Sequence, residues 1–175
     1  HGTGVPILML SSTGLDPRQW RALRRAMPAR TTHGLYYLGY PPSDAWSGVG
    51  AIDINLDFQA AEALLLEQTR PVDLLGHSYG GYLALQLAIK HPDKVRRIVM
   101  HEPTSWGCLW ESDRRDLKAD FEHIVTHFFS DDMSPEHFLQ RFIDYWNAPG
   151  GWAGMPEHRK EGWRYLAPKV MAEVR

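Results

Sequence analysis

The first apolar run, Val5-Pro6-Ile7-Leu8-Met9-Leu10, lies between Gly2 and Gly4 on one side and Ser11-Ser12-Thr13-Gly14 on the other. A short continuous apolar run between turn residues predicts a buried strand followed by a glycine-bearing loop. Asp16-Pro17 reads as a helix N-cap and first helical residue, and Trp20, Leu23 and Met27 recur at spacings of three and four before Pro28. Gly34–Leu38 predicts a second strand that runs into the turn-rich Gly39–Asp44, and Trp46–Gly50 reads as loop. Asp57–Gln68 has helical periodicity, with Phe58, Ala61 and Leu65 inward and Glu62 and Glu67 outward.

After Pro71, Val72–Leu75 predicts a third strand, leading into Gly76-His77-Ser78-Tyr79-Gly80-Gly81 and a helix over Tyr82–Lys90. That helix is apolar almost all round, so it is expected to be buried. Val95–Met100 predicts a fourth strand that closes at His101-Glu102-Pro103. Strands and helices alternate through this half, which is the pattern of an α/β fold with a mostly parallel sheet and helices on both faces. Beyond Pro103 the pattern is helical only: Asp113–Phe129, Ser134–Asn147 opening on Ser-Pro, and Glu157–Val174 interrupted by Pro168. Five of the seven tryptophans (Trp106, Trp110, Trp146, Trp152, Trp163) fall in this half. The expected organisation is a core over residues 1–105 and a helical cap or lid region over 106–175.

Composition narrows the function classes. At 175 residues and 20.0 kDa, with 43% apolar and 23% charged residues, the chain is expected to fold around one core. A formal charge of -2 gives no basic field for a phosphate backbone, so nucleic acid is not an expected partner. Apolar stretches such as Leu83–Ile89 end well short of the roughly 18 to 20 residues that span a bilayer, so no membrane span is expected. The single cysteine, Cys108, excludes an intramolecular disulfide and a Cys-cluster metal site, and it suits a reducing compartment; cytoplasm is the expected location. The chain begins at His1 with no charged-then-apolar leader, which reads as a trimmed N-terminus or a piece of something longer.

Gly76-His77-Ser78-Tyr79-Gly80 matches G-x-S-x-G, leaves a predicted strand and opens a predicted helix, the context a nucleophile elbow requires. Ser78 would then occupy a tight, strained turn, and Gly76 and Gly80 would avoid clashes between strand and helix. The helix N-terminus behind Ser78 presents amide N–H groups to a developing oxyanion. A serine that merely caps a helix is the plainer alternative.

With this elbow, the strand-loop PILMLSSTG before it, YYLGYPPSD between and HPDKVRRIVMHEP after it, the sequence resembles the α/β-hydrolase fold superfamily over nearly its whole length. The resemblance implies that Ser78 attacks an acyl carbonyl, with the Tyr79 backbone N–H as one oxyanion donor and the loop after the first strand supplying the other. Many members start that loop with His-Gly; this chain has Ser11-Ser12 there, and Thr13 can donate because any non-proline residue has an N–H. His1-Gly2-Thr3-Gly4 looks like the same motif but precedes the strand, so it reads as a turn.

A serine needs a base, and the base an orienting acid. In the family these normally follow strands that are not visible here; where the acid instead follows the sixth strand, it would fall at Glu102. None of the nine histidines matches the family's base. His77 reads as a satisfied neighbour pointing away from Ser78, and His101 lies near the active end. His91 reads as closing a helix beside Pro92 at the far end, His33, His137 and His158 have no supporting pattern, and His123 and His127, four apart without a third ligand, read as helix surface rather than a metal site. The resemblance therefore implies an incomplete core, truncated before the acid and histidine, with the last strand an open edge awaiting a further segment or another copy.

The reading is a serine hydrolase, esterase-like, acting through an acyl-serine on a small carboxylic ester or related acyl substrate, apolar or aromatic to suit the tryptophan-rich half. No metal or cofactor is required. Dehalogenase and epoxide hydrolase chemistry on this fold uses an aspartate at the elbow, which Ser78 does not supply. The alternatives are a non-catalytic binding module of the same fold and an interaction domain using the aromatic half.

Overall fold

The computed structural model describes residues 3–46, 52–128 and 133–174. Strands β1 (Ile7–Leu10), β2 (Thr32–Gly34), β3 (Val72–His77) and β4 (Val95–His101) form one sheet in the order β2-β1-β3-β4, and every pairing is parallel. β1 is buried at all four positions, as expected of a central strand in a sheet covered on both faces. In β3, Val72, Leu74 and Gly76 are buried and alternate with half-buried Asp73, Leu75 and His77. β4 is mostly exposed and pairs, among the described residues, with β3 alone.

The crossover from β1 to β2 goes to one side of β1, and the next strand, β3, returns to the other side. The loops leaving β1 and β3 therefore diverge at the carboxyl end of the sheet. In open α/β sheets this reversal opens a crevice where ligands bind.

The helices are α1 (Arg21–Ala26), α2 (Asn55–Leu66), α3 (Tyr79–Lys90), α4 (Arg115–Phe128), α5 (Pro135–Trp146) and α6 (Glu157–Val174), with 3-10 turns at Pro17–Trp20 and Trp106–Leu109. Asp16 caps the first turn as its sequence position predicts, accepting from the Arg18 N–H at 2.7 Å. The helix expected from Pro17 is instead a 3-10 turn plus six α residues, none buried in α1. The second strand lies at Thr32–Gly34 rather than Gly34–Leu38. Downstream of it there is no ladder: the Leu38 N–H donates to Asp57 Oδ1 at 3.2 Å, and Gly39, Tyr40 and Ser43 amides bond within turns. The loop read at Trp46–Gly50 and the turn read at His1–Gly4 fall partly outside the described residues.

α3 opens three residues earlier than expected, at Tyr79, because Gly80 and Gly81 lie within it. Tyr79, Leu83, Ala84 and Leu87 are buried, whereas Ile89, near the helix end, is 66% exposed. α6 runs through Pro168 without interruption. Pro168 is exposed, so the carbonyl deprived of its amide partner is within reach of water.

The chain forms two compact units: one runs to Thr104 and takes in Ala172–Val174, the other covers Ser105–Met171. The first is built on the sheet, with Met9, Leu10, Leu65, Val72, Leu74, Leu83 and Leu87 in its core. The second packs Phe128, Phe138, Leu139, Phe142, Ile143 and Trp152, with the Phe138 and Phe142 rings stacked 5.6 Å apart. Asp144 accepts from the Trp152 N–H at 2.7 Å, and Arg164 links Glu136 and Glu157. No described helix is long and apolar enough to cross a membrane.

Candidate active site

β1 and β3 pair with Leu10 opposite Gly76, so the loop after β1 and the turn after β3 leave the sheet side by side. Ser78 occupies that second turn at φ 52° and ψ −117°, a conformation costly for any side chain. Two close approaches explain why the sequence folds this way. A Cβ on Gly76 would lie 2.3 Å from the Gly80 carbonyl oxygen, and one on Gly80 would lie 2.2 Å from the Leu10 carbonyl oxygen. Only hydrogen at both positions lets α3 start this close to β1 and β3.

The strained turn is held from both ends. The Ser78 N–H donates to the His101 carbonyl at 2.9 Å, and the Ser78 carbonyl accepts from Gly81, Tyr82 and Thr104 amides at 2.8, 3.1 and 3.3 Å. The Ser78 side chain makes no capping bond to the helix, which removes the plainer reading of this serine. Glu102 also has positive φ, 47°; these are the two non-glycine residues of this kind among the described residues, and they lie at the ends of neighbouring strands.

The Tyr79 side chain turns inward, its hydroxyl donating to Asp57 Oδ2 at 3.0 Å and its ring meeting Tyr37 edge-on at 5.5 Å. Burial, then the nearby carboxylates of Asp57 and Glu173, push its phenol far above the ordinary tyrosine value. This leaves the peptide, not the side chain, of Tyr79 beside Ser78.

The loop after β1 is tied down on either side of Thr13. The Ser12 N–H donates to Gln19 Oε1 at 3.1 Å, the Gly14 N–H donates to Tyr40 Oη at 2.8 Å, and the Tyr37 hydroxyl donates to the Ser11 carbonyl at 3.1 Å. The Tyr40 hydroxyl in turn donates to Glu173 Oε2 at 2.8 Å. Between these anchors the half-exposed Thr13 N–H has no protein acceptor among the described residues. An amide that is held but unspent is what an oxyanion donor requires.

His77 extends β3 beside His101 of β4, with ring centroids 5.0 Å apart, and its Nδ1 lies 3.1 Å from Gln19 Nε2. Burial first, then the His101 imidazole, hold His77 below the usual histidine value, with Glu102 opposing. His101 Nδ1 and Glu102 Oε2 are 3.9 Å apart, and both side chains are exposed. The donor atoms of His77, His101 and Glu102 fall within 4.8 Å of one another, a set that could in principle hold a metal. The Gln19 amide argues against it. With Oε1 committed to an N–H, its Nε2 must donate to His77 Nδ1, which puts the ring proton on the other nitrogen.

Of the remaining histidines, His91 lies at the opposite end of α3 against Glu62, and His33 lies in β2. His123 and His127 lie on α4 and join no third ligand among the described residues. No described histidine is hydrogen-bonded to Ser78 Oγ. Gln19, Tyr40, Asp57 and Glu173 are structural partners of the site that motif reading missed. Asp57 alone left a signal, as an acidic residue in a helix first turn whose neighbours are apolar.

The family model described as the alpha/beta hydrolase fold matches residues 16–149, more than half of the chain. The chain belongs to this family. The 2-hydroxymuconate semialdehyde hydrolase of Pseudomonas sp. (strain CF600) is 35% identical to this α/β hydrolase over 109 residues, covering 57% of this chain and 36% of that protein. A pimeloyl-acyl-carrier-protein methyl ester esterase of Citrobacter koseri is 27% identical over 138 residues, covering 76% and 50%. This α/β hydrolase chain thus spans about a third to a half of the length of these two curated relatives. Among solved structures, the type II thioesterase BorB from the borrelidin biosynthetic cluster superposes with a TM-score of 0.63 at 17% identity, covering 99% of this chain and 64% of that one. That likeness is one of fold.

Proposed function

We propose that this chain carries the nucleophile and oxyanion-binding part of a serine hydrolase that cleaves a carboxylic ester or related acyl compound. The observation that carries the reading is Ser78 at φ 52° between β3 and α3, at the carboxyl end of the sheet where strand order reverses. Ser78 Oγ attacks the acyl carbon and gives its proton to a base, and the carbonyl oxygen takes up negative charge. The Thr13 and Tyr79 backbone N–H groups donate to that oxyanion. Collapse expels the alcohol, leaving acyl-Ser78, and water then releases the acid. Gly76 and Gly80 are the two elbow positions that permit the turn, and Glu102 is the acid this reading assigns to orient the base. The base lies outside the residues described as bonded to Ser78. No metal or cofactor enters the reaction.

The names of the curated relatives, a semialdehyde hydrolase and a methyl ester esterase, support hydrolysis and leave the scissile group open. The aromatic content of residues 106–175 supports an apolar or aromatic acyl substrate and the assignment of this segment as the cap. A non-catalytic binding module is the second reading, favoured by the lack, among the described residues, of a histidine bonded to Ser78 Oγ.

Intact-mass spectra before and after a fluorophosphonate probe separate the two. The hydrolase reading expects one adduct, mapping to Ser78 and lost in Ser78→Ala. A protein that stays unlabelled while folded is a binding module or a part of a hydrolase without its base, and the catalytic reading falls for this chain.

A further inference from the structure

Gln19 lies on the 3-10 turn that follows β1, and its side chain is bonded to both halves of the site. Its Oε1 accepts from the Ser12 N–H at 3.1 Å, and its Nε2 lies 3.1 Å from His77 Nδ1. Ser12 adjoins Thr13, and His77 adjoins Ser78. A primary amide has one accepting end and one donating end. The Ser12 N–H can meet only the oxygen, so the nitrogen faces His77, and His77 Nδ1 can only accept.

We propose that Gln19 is a positioning residue: its amide straps the loop carrying Thr13 to the turn carrying Ser78, and it fixes His77 as the neutral ring with its proton on Nε2. The consequence for catalysis rests on the hydrolase reading above; the strap itself does not. Among the described residues, three groups lie against the His77 ring. Gln19 comes from the 3-10 turn, His101 from β4, and Glu102 from the residue after β4. Protonating His77 would set an N–H against the Gln19 NH2, so acid would turn the amide over and release the Ser12 N–H. One glutamine thereby couples the spacing of the two oxyanion donors to the charge on His77.

The test uses the full chain labelled with 15N-histidine, with the His77 signals assigned by His77→Gln. Long-range 1H–15N correlation near pH 8 is expected to show the Nε2–H tautomer in the wild type. Gln19→Glu replaces the donor by an acceptor, so the ring proton should move to Nδ1 and His77 should take up a second proton at higher pH. Gln19→Leu should leave the tautomers mixed. Fluorophosphonate labelling of Ser78 should slow about tenfold in Gln19→Leu, while Gln19→Glu, which keeps an acceptor for Ser12, retains most of the rate.

A wild-type Nδ1–H tautomer, or the same tautomer in all three proteins, overturns the strap. A correct tautomer pattern with equal labelling rates in all three overturns the positioning role. If the wild type is never labelled, the hydrolase reading fails, and the tautomer pattern alone still decides whether Gln19 makes the link.

Discussion

A backbone carbonyl cannot step aside as a flexible side chain can, and this makes Gly80 the most constrained position in the site. A Cβ there would meet the Leu10 carbonyl oxygen at 2.2 Å, whereas one on Gly107 would meet nothing within 4 Å. Gly80→Ala is expected to cost about 3 kcal/mol or more by overpacking, and Gly107→Ala to be neutral or stabilising by up to about 1 kcal/mol. Urea unfolding of the two variants checks the contrast. His77 sets a pH dependence whose sign follows from its depressed affinity for protons. The unfolded chain takes up a proton at this position near its ordinary value of 6.5, before the folded chain does. Stability from His77 is therefore complete above that pH and declines as pH falls toward the folded value. His77→Gln should flatten the unfolding free energy across that window. Asp73, held by Arg96 and then Arg30 below the usual aspartate range, keeps its own contribution until lower pH.

At the scale of elements, apolar runs located strands only where the run also found a partner. β1 and β3 lie where their sequences predict, since each is flanked by paired neighbours. Tyr36-Tyr37-Leu38 is as apolar as a strand but forms no ladder: the Tyr37 hydroxyl donates to the Ser11 carbonyl, and the Leu38 N–H donates to the Asp57 carboxylate. Neither partner is visible from local sequence, so the ladder forms upstream at Thr32–Gly34 instead. Pro168 teaches the converse, because a strong local breaker is tolerated when neighbouring turns of α6 are anchored on both sides by buried Ala167 and Val170. Replacing an interior proline by alanine restores a helical amide, a difference of up to about 3 kcal/mol. Pro168→Ala, at an exposed position, is expected to raise the melting temperature by several degrees, measured by circular dichroism at 222 nm.

At the scale of the whole molecule, β4 is an edge strand, paired on one side only among the described residues. Val99 and Met100 are 60% and 37% exposed and, as consecutive strand residues, point to opposite faces. An open parallel edge with apolar groups on both faces invites another strand. We expect the chain to self-associate at this edge unless a further segment covers it. Sedimentation velocity should show dimers or larger species that Val99→Lys with Met100→Lys reduces. A monomer at all accessible concentrations would remove a second copy as the partner of this edge.

The sequence by itself determined the alternation of strand and helix, the parallel sheet and the strand-turn-helix around Ser78. Those features follow from local periodicity and from glycines placed where backbones must touch. The resemblance to the family also named Thr13 and Glu102 as candidates, by their places after strands. Only the tertiary structure decided that the flanking amides of Thr13 are held, that Glu102 has positive φ, and that Gln19, Tyr40 and Glu173 brace the loop after β1. The physical reason is separation. Gln19 and His77 are 58 positions apart, and Tyr40 and Glu173 are 133 apart. Each residue looks ordinary in its own stretch of chain, and its role exists only once folding brings a donor to an acceptor.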